Sequence, residues 1–205
     1  MHTDGPLMVI AGAGSGKTRV LTYRIAYLIQ RGVDPFSILA LTFTNKAARE
    51  MKSRIAEVIG EGEARNIWMG TFHSIFARIL RMECERINYL RNFTIYDTQD
   101  SRALIKDIIK GLGLDDKVYK PASIQGRISN AKNNLIDAHG YSQHTEIMSE
   151  DAQAGRPRVH EVYRAYENRC FRAQAMDFDD LLFKMNVLLR DFPDLLSKYQ
   201  HKFQY

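Results

Sequence analysis

Cysteine is almost missing from this chain, and the two present, Cys84 and Cys170, lie far apart with no metal-ligand spacing around them. That argues against a disulfide framework and predicts buried free thiols. The six histidines contain no His-x3-His pair, so no zinc site is expected. No apolar run approaches the roughly 20 residues of a membrane-spanning helix. The opening Met1-His2-Thr3-Asp4-Gly5-Pro6 lacks the charged-then-apolar pattern of a signal peptide. These absences predict a cytoplasmic protein with no membrane partner. Internal repeats are also lacking.

What remains is ordinary globular composition: 205 residues, 45% hydrophobic and 26% charged, enough for one large domain or two small ones. The net charge of +5 permits a polyanionic partner. Through Thr98, 13 Lys and Arg stand against 9 Asp and Glu, so most of the excess lies in the first half. A solvated basic surface accounts for that balance about as well as nucleic acid does.

The most informative segment is Ala11-Gly12-Ala13-Gly14-Ser15-Gly16-Lys17-Thr18. It follows the apolar run Leu7-Met8-Val9-Ile10, which reads as a buried strand, and it opens into the helical periodicity of Val20, Leu21, Tyr23, Ile25, Leu28 and Ile29. Glycines at 12, 14 and 16 allow positive φ and turn successive N–H groups inward, making an anion nest at a helix N-terminus. In such a loop Lys17 reaches the β- and γ-phosphates of a nucleoside triphosphate and the Thr18 hydroxyl ligates Mg²⁺. The loop opens on Ala11 where the strict pattern has glycine.

Further along, Ser37 to Thr44 reads as a second strand and Asn45 to Ile59 as a helix, with Thr44 or Asn45 as N-cap and Gly60 as the stop. Ile67 to Thr71 reads as a third strand, followed by a helix from Phe72 to Ile87. Strands alternating with helices predict an α/β fold with a parallel sheet. From Asp97, a predicted N-cap, three helical segments follow: Thr98–Leu112, Ala122–Asn134 entered through Pro121, and Arg158–Ala173. They suggest an all-helical insertion in the α/β domain. Asp137 to Pro157 reads as loop and short helix, and helices begin again near Asp177 and Asp194.

At the ends of the second and third strands stand Thr42-Phe43-Thr44-Asn45-Lys46-Ala47 and Gly70-Thr71-Phe72-His73-Ser74. Ligands of open parallel sheets bind beyond the carboxyl ends of the strands. Hydroxyls and N–H groups can hold phosphates while a phenyl ring stacks on a base. Equally, Phe43 and Phe72 can fill the core while Ser, Thr and Asn cap helices. Asp177-Phe178-Asp179-Asp180 reads as a cap with favourable charge at a helix N-terminus rather than a metal site.

Four segments in order, Ala11 to Ile25, Leu41 to Ala48, Gly70 to Ser74 and Asp177 to Leu181, resemble the UvrD/Rep/PcrA family of superfamily 1 DNA helicases. The resemblance implies a RecA-like P-loop NTPase sheet, domain 1A, over residues 1–97 and 173–205, with helical domain 1B at 98–172. It implies ATP and Mg²⁺ as cofactors, held by Ala11, Gly12, Ala13, Gly14, Ser15, Gly16, Lys17 and Thr18. Arg19 then packs near the adenine, and Thr42, Phe43, Asn45, Thr71 and His73 line a single-stranded DNA path. Single-stranded DNA and duplex junctions are the implied partners, and 3′-to-5′ unwinding in repair or replication is the implied activity.

ATP hydrolysis of this class also needs an apolar strand ending in Asp-Glu, to hold Mg²⁺ and orient water. Asp115-Asp116 and Glu150-Asp151 follow no buried strand. The chain therefore reads as a fragment, expected to bind ATP without efficient hydrolysis and to self-associate through an open sheet edge. Two other readings share these motifs: the motor of a RecB/AddA-type recombination nuclease, and a nucleic-acid-binding module with a vestigial nucleotide site.

Overall fold

Short β-branched and apolar stretches form strands here only where a parallel neighbour is available. In the computed structural model, which describes residues 5–10, 12 and 16–205, β1 (Leu39–Thr42) pairs in parallel with β2 (Trp68–Thr71), Leu39 opposite Trp68 and Thr42 opposite Thr71. A second parallel pair joins β3 (Thr94–Tyr96) to β4 (Ala175–Asp177). The chain is thus mixed α/β, with most residues in helices, and it divides into two compact units.

The first unit comprises Met1–Ile75 and Phe192–Tyr205. Helix α1 (Lys17–Gln30), α2 (Asn45–Ile59) and α3 (Glu61–Asn66) surround β1 and β2, and Ile25, Leu28, Ile38, Ala40, Met51, Ile55, Ala64 and Ile67 make the core. The spacing of Met51 and Ile55 puts both on one face of α2. Thr44 caps that helix, its Oγ1 accepting the Ala47 N–H at 3.2 Å, and Gly60, at φ 90°, ends it. Helix α11 (Pro193–Lys202) leads to a chain end that joins the sheet. The Gln204 and Tyr205 N–H groups donate to the Ser37 carbonyl, and Leu39 N–H donates to the Tyr205 carbonyl at 2.8 Å. Trp68 is buried against Phe203, ring centroids 5.2 Å apart, with the Lys202 ammonium 4.2 Å from its ring.

The strand expected at Leu7–Ile10 does not form. These four side chains are exposed, Met8 and Ile10 above 80%, and carry no strand pairing. An apolar run becomes a strand by bonding a neighbour. Among the described residues the β1 edge away from β2 takes Gln204–Tyr205 instead.

The second unit, Phe76–Asp191, is a helical assembly around the β3–β4 pair. Helix α4 (Phe72–Met82) enters it and is followed by a 3₁₀ turn at Cys84–Ile87, ending five residues earlier than the one continuous helix expected to Ile87. Helices α5 (Thr98–Gly111), α6 (Pro121–Asn133), α7 (Ala138–Gln143), α8 (Thr145–Gln153), α9 (Val159–Arg172) and α10 (Phe178–Asp191) follow. Ile105, Ile109, Ile124, Ile128, Tyr141, Val162, Tyr163 and Tyr166 fill the core. The polar stretch 137–157 is ordered into α7 and α8 by a charged network. Tyr141 OH donates to Asp151 Oδ2 at 2.5 Å, and Arg127 Nε lies 3.0 Å from both Tyr141 OH and Asp151 Oδ1. Both thiols are free and buried, and burial pushes Cys170 up to about 12, with the Asp180 charge adding to it.

A buried ion triad joins α6 to β4 and α10. The Lys132 ammonium sits 2.7 Å from Asp177 Oδ2 and 2.8 Å from Asp180 Oδ1, its side chain 1% exposed. Tyr166 OH also donates to Asp177 Oδ2, at 2.9 Å. Asp177 and Asp180 form a reciprocal cap on α10: Asp180 N–H donates to Asp177 Oδ1 and Asp177 N–H to Asp180 Oδ2. Burial alone would raise the Asp177 carboxyl, but the Lys132 charge and these bonds hold it below the usual carboxylate range. Asp180, the more deeply enclosed, is pushed up by burial and by the Asp177 charge, against the opposing pull of Lys132. Two carboxylates thus share one cation, with Asp177 the more strongly ionised. Among the described residues no cluster of three His, Cys, Asp or Glu could hold a metal, and no helix is long and apolar enough to cross a membrane.

Lys132→Met leaves two carboxylates facing each other without a cation. It is expected to lower unfolding stability by about 3–5 kcal/mol in urea titrations. Arg54→Ala, which breaks only the exposed α2 pair with Glu50, should stay within about 1 kcal/mol.

Candidate nucleotide and nucleic-acid site

Of the glycine loop, Gly12 and Gly16 to Thr18 are described, and Gly16 leads into α1. Gly16 is the N-cap of α1 with φ 85° and ψ 23°, the left-handed conformation that glycine takes without steric penalty. Val20 N–H donates to the Gly16 carbonyl at 3.0 Å, so the helix begins directly at Lys17. The Lys17 ammonium donates to the Gly12 carbonyl at 2.7 Å. Thr18 lies in the first helical turn, half-buried, its carbonyl accepting from Thr22 Oγ1 at 3.0 Å. Arg19 stands one residue further on, exposed, its guanidinium 5.7 Å from the ring centroid of Tyr23. Ala11, Ala13, Gly14 and Ser15 lie outside the described residues.

At the carboxyl ends of β1 and β2 two strand-to-helix turns stand side by side, because parallel pairing aligns Thr42 with Thr71. Phe43 follows β1 and is 88% exposed, which removes the reading of it as a core residue. Its ring lies 5.4 Å from that of Phe72, tilted by 37°, and Phe72 is half-buried. The two rings therefore form one aromatic surface at the sheet end. Thr42 is half-buried and donates from Oγ1 to the Thr44 carbonyl at 3.2 Å, while Asn45 is exposed at the start of α2. His73 is half-buried in the first turn of α4.

The second turn is closed by Thr71 and Ser74. Thr71 N–H donates to Ser74 Oγ at 2.9 Å, Ser74 N–H donates to Thr71 Oγ1 at 3.2 Å, and Ser74 Oγ donates to the Thr71 carbonyl at 2.9 Å. Thr71 is buried, so its hydroxyl serves α4 as a cap. Gly70 permits this closure: a Cβ there would fall 2.6 Å from Ser74 Oγ and 3.2 Å from Ile75 Cγ1. The structure thus brings Thr42, Phe43, Asn45, Thr71 and Phe72 to one edge of the β1–β2 pair.

Sequence reasoning gave no role to Phe178. It is 49% exposed at the carboxyl end of β4, as Phe43 is at the end of β1, and each strand leads directly into a capped helix. The signal in the sequence is an aromatic that sits inside the Asp177–Asp180 cap, between a strand and a helix.

The described end of the glycine loop thus opens a helix at Lys17, and the parallel strands end in hydroxyls and an aromatic pair of which Phe43 is exposed. The UvrD/REP helicase N-terminal domain matches residues 1–205, and the chain belongs to that family. It is 48% identical over 204 residues to an ATP-dependent DNA helicase PcrA of Leuconostoc citreum, covering 99% of this chain and 26% of that protein. It is 47% identical to proteins of the same name from Staphylococcus epidermidis and Staphylococcus aureus, over 209 and 205 residues, covering 99% of this chain and 27% of each. The chain thus spans about a quarter of the length of these relatives.

Gly70→Ala is expected to cost about 1–3 kcal/mol of stability through overpacking of the Ser74 turn, read as a lower melting temperature. Gly126→Ala in α6, where the added carbon meets nothing within 4 Å, should be neutral or stabilising.

Proposed function

We propose that the chain is the ATP- and single-stranded-DNA-binding part of an ATP-dependent DNA helicase that moves 3′ to 5′ in repair or replication. The observation that carries it is Phe43. An 88% exposed phenyl ring at the end of a parallel strand has no core function, and the named relatives are ATP-dependent DNA helicases. In this reading residues 1–97 and 173–205 belong to a RecA-like P-loop domain and 98–172 to a helical insertion.

The donor set fits a nucleoside triphosphate with Mg²⁺. Gly16 is already in the conformation the cradle requires, and α1 begins at Lys17, so its first free N–H groups face the loop. Lys17 would exchange its bond to the Gly12 carbonyl for phosphate oxygens, Thr18 would contribute a hydroxyl to the cation, and Arg19 would lie against the base. When bound, Mg-ATP supplies the phosphoryl group whose hydrolysis drives the motor. Among the described residues no strand ends in paired carboxylates, and ATP turnover by this chain alone is expected to be negligible.

At the strand ends, Phe43 offers a face to one base while Phe72, 5.4 Å away, limits the rotation of that ring. Thr42, Asn45 and His73 supply polar groups beside it, and Thr71 contributes through the turn it closes. Phe178 offers a second stacking face in its own unit. Self-association through an open sheet edge is part of this reading: beside the Gln204–Tyr205 bonds to Ser37 and Leu39, a cavity of about 660 Å³ lined by Leu21, Arg24, Leu28, Leu39, Ala40 and Tyr205 lies next to β1.

Titration with a fluorescent ATP analogue and Mg²⁺ is expected to give saturable binding that Lys17→Ala abolishes. Phe43→Ala should weaken oligothymidylate binding by about 5- to 150-fold, corresponding to roughly 1–3 kcal/mol per stacked base, without altering nucleotide affinity. ATP turnover stimulated by single-stranded DNA and lost in Lys17→Ala would contradict the inactivity of this chain, and a monomer at high concentration in sedimentation velocity would contradict its self-association.

A further inference from the structure

Phe178 stands among acids that are held more firmly than a helix start requires. The caps beside Phe43 and Phe72 are made by neutral groups: Thr44 Oγ1 accepts the Ala47 N–H, and Thr71 exchanges bonds with Ser74. Around Phe178 the same task falls to Asp177 and Asp180, which accept each other's N–H groups at 3.1 and 2.8 Å. That cap closes without any lysine.

Other helices nonetheless reach in. Lys132 of α6 holds Asp177 and Asp180 at 2.7 and 2.8 Å, Tyr166 of α9 donates to Asp177 at 2.9 Å, and Asn133 of α6 donates to Asp179 Oδ1 at 3.3 Å. The Lys132 ammonium also lies 5.1 Å from the centroid of the Tyr166 ring. Every acid of the segment 177–180 is therefore tied to a helix outside it, and Phe178 is the remaining residue of that segment.

Taking these charges out of water is costly, and a packed apolar cluster of similar volume commonly gives a fold as much stability. What charge-assisted bonds supply and apolar packing lacks is direction. One ammonium sets the places of two carboxylates, and with them the backbone on each side of residue 178. The phenyl ring is 49% exposed, so half of its surface has no packing to hold it. A ring that must be ordered as a base arrives loses affinity to that ordering, and one pinned beforehand does not.

We propose that Lys132, supported by Tyr166, is a positioning residue for single-stranded DNA: by clamping Asp177 and Asp180 it fixes Phe178 in the orientation that receives a base. This role rests on the reading of Phe178 as a stacking face.

The test is a set of double-mutant cycles, read by fluorescence anisotropy of labelled oligothymidylate with the 205-residue chain. Phe178→Ala is expected to weaken binding by about 5- to 150-fold. Lys132→Met and Tyr166→Phe are each expected to weaken it by about 2- to 10-fold, the ordering cost of one ring, with affinity for a fluorescent ATP analogue unchanged. In a Phe178→Ala background both substitutions should have no further effect, because the ring they position is gone. In a Phe43→Ala background their effect should persist. A lysine that serves stability alone would act equally in every background. Lys132→Met decides where circular dichroism shows it folded; Tyr166→Phe, which keeps the ring and loses only the hydroxyl, decides where it does not. No weakening by the deciding variant, or the same weakening with and without Phe178, overturns the positioning role and leaves Phe178 as a stacking face. Failure of the unaltered chain to bind, or of Phe178→Ala to weaken binding, overturns both.

Discussion

Parallel strand pairing is the constraint on which the candidate site depends. Two parallel strands must be joined by a crossover, so their carboxyl ends lie on the same edge and whatever follows each strand meets there. In the β1–β2 pair this brings Phe43 and Phe72 to 5.4 Å from residues 29 positions apart in sequence. The same rule acts in the β3–β4 pair, where Tyr96 stands opposite Asp177 and each strand passes into a helix capped by an aspartate. Neither pair is large. Each works by turning two short segments into a fixed edge from which helices depart.

What holds those edges differs between the two units. In the first, neutral groups suffice: the Thr71–Ser74 exchange and the Thr44 cap fix the helix starts, and the close approach at Gly70 leaves no room for slack. In the second, a buried lysine lies between two aspartates, and the strand end is held by charge. Buried charge of this kind contributes little net stability over a packed apolar alternative, but removing one partner is severe. Asp177 and Asp180 serve as cap and as counter-ions at once, which couples the start of α10 to the position of α6.

Local chemistry was readable wherever a local rule decided the outcome. Helix α2 ran from Asn45 to Ile59 as read, because Thr44 and Gly60 are strong start and stop signals and Met51 and Ile55 keep the helical period. Asp97 and Pro121 marked α5 and the entry to α6 for the same reason. The misses were settled by partners distant in sequence. β3 and β4 are three residues each, too short to show a period of two, and exist through each other. The segment 137–157 reads as loop and short helix without showing where its helices lie, because the order of α7 and α8 comes from Arg127, outside that segment. Leu7–Ile10 had a strand's composition and lacked a neighbour. At the site, the glycine loop is legible from its spacing, the strand-end residues stand out through the family resemblance, and the choice between core and surface for Phe43 needs its exposure. The cap formed by the Thr71 hydroxyl likewise appears only once Ser74 is seen folded back on it.

Trp68 is the sole indole in the chain, and it lies in β2, two residues before Gly70, beneath the Lys202 ammonium and against Phe203. Intrinsic emission excited at long wavelength therefore originates in one strand of one unit. Circular dichroism reads the helices of both units, so comparing the two curves measures whether the strand that holds Trp68 melts with the bulk of the helices or apart from them.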